Sequence, residues 1–256
     1  GLNILRREQP DAVVSVDTFR PDVARMAVEE YGVAIVNDVS EGGITGVANK
    51  PLGWTQGDYP EIFTMVARLG VPYILMSVKP NIKEMLLGFA HEVQQLRDLG
   101  VKDIILDPGF GFGKTLDDNY LLMKEMDKLK VLGLPLLVGV SRKSMIFKLI
   151  GGDPTTSLNG TTVLHTISLM KGANILRVHD VKEAAECVAI FERLNKIKDQ
   201  ISKDVLRIWN KGYYRHPASG ADALLHLSPD ERVTFAERVY RNTDVCDTMA
   251  SCITDT

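Results

Sequence analysis

The stretch DIILDPGFGFGKT, Asp103 to Thr115, decides how the chain is read. Ile104, Ile105 and Leu106 form a continuous apolar run rather than an alternating one, the pattern of a strand buried on both faces of a parallel sheet. The run stops at Asp107. Gly109, Gly111 and Gly113 then make a turn that leads into a helical pattern over residues 116–129. Strand, polar side chain at its C-terminal end, loop and helix together make one βα unit with a ligand-binding group at the strand's end.

The same arrangement recurs along the chain. Apolar runs at 13–16, 33–36 and 73–76 stop at Asp17, Asn37 and Ser77. The run at 136–140 stops at Ser141, Arg142 and Lys143, and the run at 175–178 is interrupted by Arg177 and followed by His179. Helical patterns separate the runs at 21–31, 83–99, 143–150, 156–171 and 181 to about 201, the first opened by Pro21 and the second closed by Gly100. Strand alternating with helix predicts right-handed βα units and a parallel sheet. A doubly wound sheet concentrates its site at one switch point, whereas a (β/α)8 barrel gathers residues from many strand ends at one rim. Six polar strand ends, on about six βα units, therefore favour an α/β fold of the TIM-barrel type. Residues 196–256 read as a helical or irregular extension. Within it, 204–209 looks helical, 211–220 is turn-rich, and Ser228 with Pro229 caps a helix that runs to about Tyr240.

Composition narrows the function. The 256 residues are 45% hydrophobic and carry a formal charge of −3 with both signs interspersed, so neither a nucleic acid nor a membrane surface is expected as partner. Cys187, Cys246 and Cys252 form no C-x-x-C pair and suit a reducing cytosol better than a disulfide or zinc framework. No apolar stretch of ~18 residues and no signal peptide is evident. The expected partner is a small molecule and the expected location cytoplasmic.

Residues 108–115 nearly spell a nucleotide-binding P-loop. That motif needs a glycine five positions before the glycine of Gly113-Lys114-Thr115, and the position holds Pro108. The dinucleotide fingerprint fails as well, because residue 114 is Lys. The glycines are better suited to a tight turn that lets backbone approach a ligand.

LDPGFGFGKT (106–115), GVSRKS (139–144), RVHD (177–180), SVDT (15–18) and VND (36–38), in this order and spacing, resemble dihydropteroate synthase. The resemblance covers roughly residues 1–195. It implies a barrel that joins 6-hydroxymethyl-7,8-dihydropterin diphosphate to p-aminobenzoate with release of diphosphate, a cytoplasmic homodimer, magnesium accompanying the leaving group, and a target for sulfonamides. It makes Asp107 and Asn37, with Asp17 beside them, the readers of the pterin's donor and acceptor edge, and Met76 an apolar wall. Buried carboxylate and amide groups suit that edge. Asp17 would also stabilise the cationic methylene carbon left when diphosphate departs. Lys143 would contact the pterin and border the p-aminobenzoate pocket, lined further by Ser141, Arg142 and Phe112, while Gly111 and Gly139 admit close approach of the ligand. Arg177 and His179, alternating along a strand end, would present two donors to the diphosphate. Asp17, Lys143 and Arg177 are the catalytic candidates. His91, His165, His216 and His226 read as structural.

Three departures qualify the resemblance. The family's N-x-T-P-D-S-F-S-D and G-G-x-S-T-R-P-G loops do not occur in this sequence, so its first two βα units, with the asparagine associated with magnesium, are expected to lie outside it; Gly1 in the first position agrees with a processed, trimmed or partial chain. Ser77-Val78 stands where many relatives carry His-Met. The glycine-rich segment 43–59 is longer than the usual connection and reads as an exposed loop. Six strands leave two unpaired parallel edges, at the strands ending in Asp17 and Arg177, and such edges invite association.

Two other functions share features with this pattern. One is a non-catalytic pterin-binding scaffold. The other is a methyltetrahydrofolate-dependent methyltransferase domain, against which SRKS and RVHD speak because the resemblance gives those residues to p-aminobenzoate and diphosphate. Without the two loops, weak pterin binding and little turnover are expected of this chain.

Overall fold

The computed structural model describes residues 1–42 and 59–208, with side chains to 196. The elements are α1 (Leu2–Glu8), β1 (Ser15–Asp17), α2 (Pro21–Tyr31), β2 (Ile35–Asp38), α3 (Glu61–Leu69), β3 (Tyr73–Met76), α4 (Ile82–Asp98), β4 (Ile104–Asp107), α5 (Leu116–Glu125), β5 (Leu137–Val138), α6 (Ser144–Ile150), α7 (Leu158–Met170), β6 (Ile175–Leu176) and α8 (Val181–Ile208). Two compact units, Gly1–Val188 and Ala189–Thr256, divide the chain, and all six strands lie in the first. The described part of the second is helical. The loop expected at 43–59, apart from Tyr59, and the turn and helix expected beyond 208 lie outside the described residues, as do His216 and His226. No helix among the described residues is long and apolar enough to cross a membrane.

The strands run in parallel and in sequence order. β1 through β4 form one sheet and β5 pairs with β6, the two groups being joined by a bridge between Leu106 and Leu136. Register explains which residues share a face. Val36 sits opposite Tyr73 and Tyr73 opposite Ile104, and one step along the strands Asp17 sits opposite Asn37, and Asn37 opposite Ile74. Because strand side chains alternate, Val36, Tyr73, Leu75, Ile104 and Leu106 point to one side, where they pack with Ile62, Phe63, Val66, Met85, Phe89 and Leu96 of the helices. Asp17, Asn37, Met76 and Asp107 point to the other. One face thus holds the apolar core while the other carries the polar strand ends.

Local chemistry sets the helix boundaries. Pro21 opens α2 and Gly32, at φ +61°, closes it. Asn81 caps α4 by accepting from the Glu84 N–H at 3.0 Å, and Thr115 with Asp118 forms a reciprocal capping box at α5.

β1 and β6 end the arc, and among the described residues neither has a second neighbour. The expectation that every strand is buried on both faces fails at these two. Ser15 and Asp17 are exposed and Ile175 is 38% exposed, because an end strand lacks one flank of cover. Two helical readings also change. α3 lies where no helix was expected, although Ile62, Phe63 and Val66 share a face and Gly70 follows it in a left-handed conformation. α8 continues to Ile208 and absorbs the helix expected at 204–209.

Candidate active site

Asp17, Asn37, Asp107 and Arg177 join into one hydrogen-bonded chain across the polar face. The Asn37 amide donates to the Asp17 carboxylate at 2.7 Å, and Arg177 donates to Asp107 at 2.8 Å while its other terminal nitrogen lies 3.5 Å from the Asn37 oxygen. Asn37 and Asp107 are each only 1% exposed, whereas Asp17 is open to solvent. Burial pushes the Asp107 carboxyl up from its ordinary range, while the Arg177 guanidinium and the Gly109 N–H, which donates to it at 2.8 Å, pull the other way. Met76, fully buried, sits opposite Asp107 in the register and walls the carboxylate on the β3 side.

The loop after β4 is fixed by close approach. A Cβ on Gly109 would lie 2.1 Å from the Ser77 carbonyl oxygen, and Gly109 is at φ +65°, so no other residue fits. Lys114, the lysine of the near P-loop, turns back onto the loop and donates to the carbonyls of Ser77, Gly109 and Phe112 at 3.0–3.1 Å. Its amine is therefore engaged as a staple rather than presented to a phosphate, which agrees with the failed motif. Burial lowers it to about 8.

Lys143 reaches into the same loop. Its ammonium donates to the Phe110 carbonyl and stands 4.7 Å from the centre of the Phe112 ring. Burial lowers it to about 8, with Asp107 opposing that displacement and Arg177 and Lys114 adding to it. Two glycines leave room for these cations. A Cβ on Gly111 would stand 3.2 Å from the Lys143 Cδ, and one on Gly139 2.9 Å from an Arg177 terminal nitrogen.

Ser141, Arg142 and His179 gather at the next strand end with different consequences. Ser141 is buried and its hydroxyl accepts from the His179 N–H at 3.2 Å. The Arg142 guanidinium grips Asp180 through two bonds of 2.8 and 2.9 Å and donates to the carbonyls of Pro154 and Thr155. Arg142 is thus held as a clamp between loops, and Asp180 is drawn below the usual carboxylate range by it. The sequence pairs Arg177 with His179, yet Arg177 turns to Asp107 and Asn37, and no side-chain hydrogen bond links it to His179.

Sequence reasoning passed over Glu41 and Asn119. Glu41, buried and at φ +52°, accepts from the Ser77 hydroxyl and the Val78 N–H and pairs with Lys79 at 3.3 Å, tying the β2 loop to the β3 loop. Asn119, also buried, holds the loop after β4. Its place four residues after the capping Thr115 was the available signal.

A protein-held magnesium does not fit this donor set. Among the described residues no three His, Cys, Asp or Glu side chains converge on one point. The Asp107 oxygens already face Arg177 and Gly109.

Comparison with known proteins agrees with this architecture. Residues 2–179 match the family described as pterin binding enzyme. The chain is 37% identical over 204 residues to a dihydropteroate synthase of Synechocystis, covering 73% of this chain and 65% of that protein, and 34% identical to one of Escherichia coli, covering 73% and 66%. It therefore spans just under two thirds of the length of these curated relatives. Among solved structures it is similar to Yersinia pestis dihydropteroate synthase with a pterine-sulfa conjugate, at TM-score 0.65 and 31% identity, covering 76% of this chain and 73% of that one. It is also similar to the Thermus thermophilus enzyme in complex with 4-aminobenzoate, at TM-score 0.63 and 31% identity, covering 73% and 72%. The chain belongs to the pterin-binding enzyme family, and the members it matches here are dihydropteroate synthases.

Proposed function

We propose that this chain carries the pterin-reading part of a dihydropteroate synthase, acting on 6-hydroxymethyl-7,8-dihydropterin diphosphate and p-aminobenzoate. In that reaction the amine nitrogen bonds to the pterin's methylene carbon, the carbon–oxygen bond to diphosphate breaks with the electron pair leaving on diphosphate, and the amine loses a proton. The observation that carries the reading is the bond between Arg177 and Asp107. The 2-amino-pyrimidinone edge of a pterin is a cyclic guanidine, so a buried carboxylate that already holds a guanidinium is a ready partner for it. Asp107 and Asn37 would read this edge, with Met76 against the ring and Asp17, the exposed member, facing the methylene carbon as positive charge develops there.

In this reading the ligand takes the place of the Arg177 guanidinium on Asp107. Arg177 is then free to turn with His179 toward the anionic diphosphate. Lys143, Phe112 and Ser141 border the p-aminobenzoate side, with Gly111 and Gly139 giving room, and Arg142 contributes by spending its guanidinium on holding the loop rather than on the ligand. No step is assigned to magnesium, which the resemblance places with the diphosphate. A homodimer is the expected assembly, checked by sedimentation. Fluorescence titration with 6-hydroxymethylpterin tests the pterin reading, and dihydropteroate formation tests the reaction. A methyltransferase would instead move a methyl group from methyltetrahydrofolate to a corrinoid partner.

A further inference from the structure

Lys143 is held by three consecutive residues of a loop that has little conformational stiffness of its own. Phe110 accepts from its ammonium, Gly111 packs on its stem and Phe112 lies under its charge. Gly109, Gly111 and Gly113 all adopt positive φ, so the free loop has many alternatives to this arrangement. Something must select it. Lys114 fixes the carbonyls of Gly109 and Phe112, but neither of these belongs to the peptide group that meets Lys143.

That peptide group joins Phe110 to Gly111. Its carbonyl accepts from Lys143, and its N–H, on the opposite edge of the same plane, donates to the Asn119 side-chain oxygen at 2.7 Å. Asn119 is only 3% exposed and is itself locked, because its amide donates at 2.6 Å to the carbonyl of Thr115, the cap of α5. A rigid helix therefore sets the plane of one loop peptide, and that plane aims one carbonyl at one ammonium. Hydrogen bonds in such a series polarise one another, so the carbonyl becomes a better acceptor when the N–H behind it is engaged.

We propose that Asn119 is a positioning residue for Lys143, acting through the Phe110–Gly111 peptide. Its importance for catalysis rests on the reading of Lys143 as a substrate-facing lysine; its effect on Lys143 does not.

The test is competitive acetylation of the full chain across pH, without ligand, with the Lys143 peptide followed by mass spectrometry. In the unaltered chain burial lowers the amine to about 8. Asn119→Leu and Asn119→Ser, which cannot hold the Gly111 N–H, move the midpoint up by about one unit or more, toward the ordinary lysine value of about 10.4, as Lys143 leaves the loop for water. Asn119→Gln keeps both the acceptor and the amide donor without adding charge and restores the low midpoint in most part. Variants that lower the melting temperature while leaving the Lys143 midpoint in place would overturn the proposal by showing that Asn119 only stabilises the fold. Should Asn119→Leu not fold, the Ser and Gln pair decides the matter alone. Repeating the labelling with 6-hydroxymethylpterin separates the two ideas, since failure of the pterin to protect Lys143 counts against the proposed function and leaves the midpoint shift as it was.

Discussion

Arg177 and Asp107 meet at 2.8 Å although the strands that lead to them, β6 and β4, are separated by β5. The guanidinium crosses that strand's end over Gly139, where a Cβ would come within 2.9–3.3 Å of three of its atoms. A missing side chain on one strand thus makes possible an ion pair between its two neighbours. Gly139→Ala is expected to push Arg177 off Asp107. The cost is about 1–3 kcal/mol, below that of a fully buried pair because Arg177 is 37% exposed. Arg177→Ala should show the same loss and raise the Asp107 carboxyl further, since the group that opposes its burial is gone. A carboxyl that is raised in the folded state makes stability fall as pH rises toward its folded value, so the declining part of the stability curve should extend to higher pH in both variants. Thermal melts from pH 4 to 8 check this.

Glu92 gives a second pH dependence, away from the site. It lies buried on α4, where burial first and then the neighbouring Glu41 raise it to about 8. The folded chain holds a proton there that the unfolded chain releases near 4.5, so stability should decline between those values and level off above about 8. Glu92→Gln removes that decline and stabilises the chain at pH 8 by more than about 1 kcal/mol. Denaturant melts at pH 5 and pH 8 measure the slope, and an unchanged slope would show that Glu92 is ionised in the fold.

Lys114→Met keeps the aliphatic stem and removes three donors. The loop from Gly109 to Gly113 should exchange its amide hydrogens at least about ten times faster, which corresponds to ~1.4 kcal/mol of local opening. Exchange in α2, to which Lys114 donates no hydrogen bond, should be unchanged. Hydrogen exchange with peptide resolution reads both.

Gly109→Ala combines a forbidden backbone angle with a Cβ 2.1 Å from a main-chain oxygen that cannot rotate away. A loss of more than about 2 kcal/mol is expected, against less than half of that for Gly133→Ala, which meets only the angle. Urea midpoints of the two variants make the comparison.

How much of this was legible in the sequence follows from where each signal lies. Continuous apolar runs marked β2, β3 and β4 because those strands are covered on both faces, and polar residues at their ends marked the site. The runs at 13–16 and 175–178 read the same way, yet β1 and β6 are partly exposed, since periodicity reports side-chain type and not the presence of a neighbouring strand. α3 was hidden by the glycine-rich segment before it and by its length of nine residues. Among site residues, the carboxylate and amide groups declared themselves by type and position. Arg177 was placed with His179 by strand alternation, but β6 ends at Leu176 and the long side chain is free to take the nearest buried anion. Arg142 carries φ +52° and faces Asp180, a pairing across 38 residues that spacing alone does not announce. Asn119 left only its spacing from the capping Thr115 as a mark, because its partner in the loop is a backbone N–H.

The central claim is that Asp107 reads the guanidine edge of a pterin, and fluorescence titration of 6-hydroxymethylpterin into the purified chain and its Asp107→Asn variant tests it most directly. Exchanging the charged acceptor for an amide should weaken binding about 10- to 100-fold, the value of one charge-assisted hydrogen bond of about 1.5–3 kcal/mol. Equal affinity in the two proteins, or no saturable binding by the unaltered chain, would contradict it.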